Sequence, residues 1–104
     1  MCCIMGFQSS LYTEDEIRPF FDRTKSRGPD DTRYLKLDDV LLCFHRLAIM
    51  GLHDEGMQPF VRGENAVVCN GELYGWRSQR RVLEQQGYVF RSDSDCELLL
   101  PLYE

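Results

Sequence analysis

The sequence predicts a mixed α+β domain with mostly antiparallel strands. Three observations carry that expectation. Apolar runs at 2–7 and 40–49 have the length and continuity of buried strands. The stretch "NAVVCNGELYG" over 65–75 runs an apolar segment into Asn70-Gly71, the strongest short-range hairpin signal. Segments 75–86 and 94–104 carry helix-start and helix-stop chemistry. The order strand, helix, several strands, helix, helix is that of an α+β chain.

The elements follow in order. Residues 2–7 read as a short strand with Gly6 allowing a bend or a close approach. "TEDE" at 13–16 is a capping box, with Thr13 as the cap and Glu16 reaching back to it. Ile17, Phe20 and Phe21 supply the apolar stripe of the helix that follows. Pro19 predicts either a kink or a later helix start, because it lacks an N–H and crowds the preceding turn. "SRGPDD" at 26–31 reads as a loop. The strand at 40–49 is interrupted by His45-Arg46, and 51–58 reads as a Gly-rich loop ending at Gln58-Pro59. In the helix at 75–86, Trp76, Val82 and Leu83 are expected on one side, with Arg77, Arg80, Arg81 and Glu84 on the other. Gly87 closes it in a left-handed cap. Tyr88 and Phe90 read as a strand or extended segment, and a last helix starts at a Ser94 or Asp93 cap with Asp95 in its first turn.

Composition excludes several classes. The chain has 104 residues, 43% of them apolar and 12% aromatic, enough for one small packed domain. A net charge of -5 argues against a nucleic-acid or anionic-membrane surface. No apolar run approaches the roughly 20 residues of a spanning helix, and no signal peptide is evident, so a cytoplasmic location is expected. The five cysteines (Cys2, Cys3, Cys43, Cys69, Cys96) form no C-x-x-C pair. His45 and His53 share no ligand spacing with them, so neither a metal site nor a disulfide scaffold is expected.

The polar stretches at strand ends carry the candidate chemistry. Each has a bland reading: Cys2 as a core cysteine, Asn70-Gly71 as a turn, Asp95 as a helix-start residue. Arg46 is less easily dismissed, because an arginine inside an apolar strand calls for a carboxylate from the protein or a ligand. Together these residues fit one reaction. Removal of Met1 leaves Cys2 with a free α-amine, which ordinarily titrates close to neutral pH and can serve as base for its own thiol. The Asn70 side chain and the Gly71 N–H are suited to an oxyanion. Arg46 is suited to a carboxylate fork and Asp95 to an ammonium group. A substrate with both groups and a hydrolysable carboxamide is glutamine.

Six ordered blocks carry a resemblance: "MCCI" at 1–4, "SRGPDD" at 26–31, "FHRLAIMG" at 44–51, "MQPF" at 57–60, "VVCNGELYG" at 67–75 and "GYVFRSDSDCELLLPLYE" at 87–104. From first residue to last, the sequence resembles the N-terminal glutaminase domain of class II glutamine amidotransferases, in particular the asparagine synthetase branch that "RGPDD" favours. The resemblance implies an N-terminal-nucleophile hydrolase sandwich of αββα type. It implies hydrolysis of glutamine to glutamate and ammonia through a Cys2 thioester. It assigns Asn70 and Gly71 to the oxyanion hole, Arg46 to the substrate carboxylate, and Glu72 and Asp95 to the substrate's amino end. No cofactor is expected in this chain. ATP and Mg belong to the synthetase domain, which would use the ammonia to make asparagine. Glutamine is the expected partner, with no nucleic acid and no membrane, and with a homodimer or an association with a synthetase domain left open.

Two departures shape the expectation. Cys3 stands where the family has glycine, adding a second thiol beside Cys2; a positive φ there would cost a cysteine about 1 kcal/mol or more. Cys43 stands where a small residue is expected. The family's glutaminase domain is also longer, so residues 1–104 are expected to form a partial domain. An incomplete sandwich, an exposed apolar sheet face and open strand edges follow, with the synthetase domain absent. The alternative function is a non-catalytic, truncated or degenerate remnant that at most binds glutamine.

Overall fold

The computed structural model describes residues 2–48 and 56–104. Strand β1 (Cys3–Gln8) leads to helix α1 (Glu14–Phe21) and a 3-10 turn over Asp22–Arg27. Strands β2 (Asp31–Leu37) and β3 (Val40–Arg46) follow, then the short strands β4 (Phe60–Arg62) and β5 (Asn65–Val67). Helix α2 (Trp76–Gln85), a 3-10 turn at Asp95–Leu98 and helix α3 (Leu99–Tyr103) complete the chain. All pairings among the described residues are antiparallel: one sheet in the order β1-β3-β2 and a β4-β5 hairpin. The chain is α+β, as the sequence predicts.

β3 is the central strand, and its alternation organises the sheet. Side chains along a strand point to opposite faces in turn. Leu41, Cys43 and His45 face α1, where Leu41 and Cys43 join Phe21 in a buried cluster. The register pairs them with Phe7, Met5 and Cys3 of β1, all three of which also pack on that cluster. Phe44 and Arg46 face the other way. A fully buried phenylalanine contributes about 1.5–3 kcal/mol, and Phe21 is 0% exposed. His45, also fully buried, stacks flat on Phe21 with ring centroids 3.8 Å apart. Its Nε2 lies 3.0 Å from the Phe21 carbonyl and its Nδ1 2.6 Å from the Thr32 hydroxyl. A carbonyl only accepts, so Nε2 carries the hydrogen, and in the neutral ring the Thr32 hydroxyl donates to Nδ1.

The capping box forms as expected. The Glu16 N–H donates to Thr13 Oγ1 at 3.2 Å, and Glu16 Oε1 accepts from the Thr13 N–H at 3.3 Å. Helix α1 starts where the box says and runs through Pro19, then gives way to the 3-10 turn three residues later. Pro19 thus removes one bond near the end of a short helix anchored at its start. The expected loop at 26–31 is partly helical, because the 3-10 turn extends to Arg27.

The hairpin stands elsewhere than Asn70-Gly71. It turns at Gly63-Glu64, where Gly63 takes a φ of 57° that favours glycine, and Arg62 pairs with Asn65. Residues 68–74 belong to no strand. The expected loop at 51–58 falls mostly, and the end of the strand at 40–49 falls, outside the described residues, as does Met1.

Helix α2 ends in the expected left-handed glycine. Gly87 has φ 98°, its N–H donates to the Glu84 carbonyl at 3.0 Å, and the Tyr88 N–H donates to Leu83 at 3.0 Å. Its inner face differs from the expectation. Trp76, Arg80 and Leu83, at i, i+4 and i+7, are half-buried, while Val82 is 52% exposed. Arg80 turns inward because its guanidinium donates to the Ser92 carbonyl at 2.7 Å and lies 4.6 Å from the Phe90 ring centre. Tyr88 and Phe90 pack on each other without forming a strand. Ser94 caps the 3-10 turn at 95–98, accepting from the Cys96 N–H at 3.3 Å.

The β2–β3 turn is tied to the end of β1. Asp38 takes a left-handed φ of 48°, which aspartate tolerates. Asp39 accepts from Gln8 Nε2 at 2.6 Å and from the Ser10 N–H at 3.0 Å. These bonds, the Gln8 one foremost, hold the Asp39 carboxyl below its ordinary value. A lowered folded pKa contributes stability above the unfolded value and loses it as pH falls through the folded one. Asp39→Ala is therefore expected to lower Tm modestly at neutral pH. The deficit should shrink as pH falls through and below the ordinary carboxylate range, as thermal melts against pH would read.

Candidate active site

The even-numbered end of β3 opens on a cavity of about 750 Å³. Its size lies in the range of small-molecule sites. Phe44 and Arg46 line it from the sheet, Cys2 from the segment before β1, and residues 69–73 and 93–96 from the far side. All six residues singled out in the sequence, Cys2, Arg46, Asn70, Gly71, Glu72 and Asp95, line this one cavity.

Local chemistry explains how each is held. The Cys2 sulfur accepts from the Leu47 N–H at 3.3 Å and sits 3.7 Å from the Leu47 carbonyl, so the thiol is docked on the residue after β3. Arg46 is 7% exposed, although it carries a full charge. The "RGPDD" loop clamps its backbone. The Asp30 N–H donates to the Arg46 carbonyl at 2.9 Å, and the Ala48 N–H donates to Asp30 Oδ2 at 2.8 Å. Gly28 makes the clamp possible, because a Cβ there would run into the His45 carbonyl. That crossing is a physical reason for glycine in this block, and one the loop reading did not supply.

The Asn70-Gly71 corner has no strand to hold it. Gln58 grips the preceding residue: its Oε1 accepts from the Cys69 N–H at 2.6 Å and its Nε2 donates to the Cys69 carbonyl at 3.1 Å. The Cys96 thiol lies 3.6 Å from the Gly71 carbonyl. Asp95 Oδ2 accepts from the Leu73 N–H at 2.6 Å, so Asp95 ties the corner down as well as facing the cavity. Glu97, 4% exposed, accepts from the Arg91 N–H at 2.8 Å, the Ser92 N–H at 2.9 Å and the Ser92 hydroxyl at 2.7 Å. It thereby sets the turn that presents Asp93, Ser94 and Asp95.

Gln58, Gly28 and Glu97 also build the site, and no local sequence signal marks them for it. "MQPF" and "RGPDD" stand in the sequence as blocks, without the contacts that give them purpose. Cys3 is a correction of another kind. Asp38 is the one non-glycine residue with positive φ among the described residues, so Cys3 carries no such strain. Its side chain packs toward the Phe21 cluster with Met5 and Phe7, away from the face Cys2 serves. All five cysteines are free. Burial pushes the Cys43 thiol up to about 12 and also pushes Cys96 up, the latter with help from its hydrogen bond to Cys69. No group of three or more metal-ligating side chains occurs among the described residues, and no described helix is long and apolar enough to cross a membrane.

Comparison with known proteins shows the family. The glutamine amidotransferase domain family matches residues 1–104, and the chain belongs to that family. A probable glutamine-hydrolysing asparagine synthetase of Dictyostelium discoideum is 35% identical over all of this chain and 20% of its own length. Asparagine synthetase [glutamine-hydrolyzing] 2 of Bacillus subtilis is 36% identical over all of this chain and 15% of its own. A probable asparagine synthetase of Acanthamoeba polyphaga mimivirus is 39% identical over 79% of this chain and 15% of its own. The chain thus spans a fifth or less of these relatives. No solved structure matches it.

Gly28→Ala tests the clamp. The added Cβ meets backbone, which cannot swing aside, so the variant is expected to lose about 1–3 kcal/mol in chemical denaturation. The Ala48 amide, bonded to Asp30 in the native chain, should exchange faster with deuterium. Native stability and native exchange would contradict the clamp.

Proposed function

We propose that this chain is a glutaminase domain that hydrolyses glutamine to glutamate and ammonia through a thioester on Cys2. One observation carries the proposal: Cys2, Arg46, Asn70, Gly71, Glu72 and Asp95 line the same cavity. Residues from four separate stretches of the chain, the segment before β1, the end of β3, a non-strand corner and a 3-10 turn, have no packing reason to converge with this chemistry.

The steps follow from the side chains. Once Met1 is removed, the α-amine of Cys2 takes the thiol proton, directly or through a water. The sulfur attacks the carboxamide carbon, forming a C–S bond and opening the C=O to an oxyanion. The Asn70 amide and the Gly71 N–H donate to that oxyanion, each donor being worth about 10²–10³ in rate. The C–N bond then breaks, and the protonated amine returns its proton so that ammonia leaves. Water attacks the thioester in the same way, releasing glutamate and the free thiol. Arg46 holds the α-carboxylate in a bidentate fork. Asp95 and Glu72 face the α-ammonium group. Asp95 can do this with the carboxylate that also anchors Leu73, since a carboxylate accepts several bonds.

We further propose that the fold is part of an αββα sandwich of the N-terminal-nucleophile type. The sheet face opposite α1, where Ile4 is 40% and Val40 45% exposed, is where a second sheet layer would pack. The relatives are named glutamine-hydrolysing asparagine synthetases, which supports a role in which the ammonia feeds asparagine synthesis; we propose that this synthesis is ATP-dependent and cytoplasmic. ATP and Mg would then act on a synthetase domain outside this chain, and a homodimer or that domain would be its protein partner.

Turnover tests the proposal. Glutamate and ammonia should appear in equal amounts from glutamine, intact mass should show Met1 removed, and Cys2→Ala should reduce turnover by at least about 10³-fold. Glutamine binding without turnover would favour the non-catalytic remnant. Turnover that survives Cys2→Ala would overturn the assignment of the nucleophile.

A further inference from the structure

The Asn70-Gly71 corner poses a physical problem. An oxyanion hole works only when its donors are already aimed before charge develops. Strand pairing would supply that rigidity, but residues 68–74 belong to no strand. Gly71 also has the freest backbone of any residue type. Something outside the backbone ladder must therefore fix the corner.

We propose that Gln58 is a positioning residue for the oxyanion donors. Its amide makes with Cys69 the two-bond pairing that a neighbouring strand would otherwise make, 2.6 Å from the Cys69 N–H and 3.1 Å to the Cys69 carbonyl. That carbonyl belongs to the peptide joining Cys69 to Asn70. Fixing it places the Asn70 Cα, from which the Asn70 side chain projects, and leaves the Gly71 N–H only the φ and ψ of Asn70 away from a fixed peptide. Gln58 is 5% exposed, which limits competition from water for the two bonds. Gln58 itself is well anchored: Met57 and Phe60 on either side of the Gln58-Pro59 pair are both buried. The other tethers act further along, the Cys96 thiol at the Gly71 carbonyl and Asp95 at Leu73. Gln58 is the one of the three that holds the corner from the Asn70 side with no charge to disturb the developing oxyanion. The inference rests on Asn70 and Gly71 being oxyanion donors.

The test uses a pair of ligands, one of which reports the oxyanion. Glutamate γ-semialdehyde adds the Cys2 thiol across its C=O. The C–S bond forms, and the carbonyl oxygen becomes a tetrahedral alkoxide or, with the thiol proton, a hydroxyl held by the same donors. Glutamate occupies the site without that adduct. In the native chain the aldehyde should bind far more tightly than glutamate. Gln58→Glu keeps the size and the bond from the Cys69 N–H but loses the donor to the carbonyl, and Gln58→Met loses both bonds. Each should weaken aldehyde binding by about 10- to 100-fold, the scale of a small misplacement of catalytic groups, with glutamate affinity unchanged within about twofold. Equal loss of both affinities, including through misfolding, would make Gln58 merely structural and overturn the inference, as would unchanged aldehyde binding. If the native chain itself binds the aldehyde no better than glutamate, the glutaminase proposal falls first, a failure distinct from that of Gln58 alone.

Discussion

The flat stack of Phe21 on His45 binds the helical layer to the central strand, and most of the structure depends on it. Phe21 closes α1 and fills the core, while its carbonyl satisfies the buried imidazole at 3.0 Å. Thr32 satisfies the other ring nitrogen from β2, so one histidine joins three elements. An unsatisfied buried polar group would cost about 1–3 kcal/mol. Because His45 is locked into the core face, strand alternation sends Arg46 to the other face. The Gly28 crossing then holds the peptide between them. A charged residue is buried at the cavity wall because its neighbour is bound to the core.

The far wall of the cavity obeys a different rule. Residues 69–73 lie outside any sheet, and three side chains from two places in the chain hold them: Gln58, and Asp95 with Cys96. Asp95 in turn sits on a turn shaped by Glu97 and capped by Ser94. Hydrogen bonds of this kind give direction as well as stability, which a site for a charged transition state requires. The near wall is therefore rigid through packing, and the far wall through a polar network.

Much of this was legible in the sequence, and the limits have physical causes. The capping box at Thr13 and the glycine stop at Gly87 are local signals, and both form as written. Asn70-Gly71 carries an equally local hairpin signal, yet tertiary tethers from Gln58 and Asp95 use it as a corner, and Gly63 takes the turn instead. Charge alone puts Arg80 on the solvent side; the Ser92 carbonyl and the Phe90 ring turn it inward. Convergence of the six site residues could be expected only from their joint chemistry and resemblance, since no spacing rule links Cys2 to Asp95. Cys3 shows the reverse error. Its chain position beside Cys2 suggested rivalry, and strand alternation puts its side chain on the opposite face.

The central claim is that one cavity selects glutamine and arms one thiol among five. A chloromethyl ketone analogue of glutamine tests both parts together, followed by peptide mapping of the alkylated cysteine. One label per chain, on Cys2, slowed in proportion by added glutamate, is the result predicted. Labelling spread over Cys3 or Cys69, or labelling of Cys2 that glutamate does not slow, would contradict it.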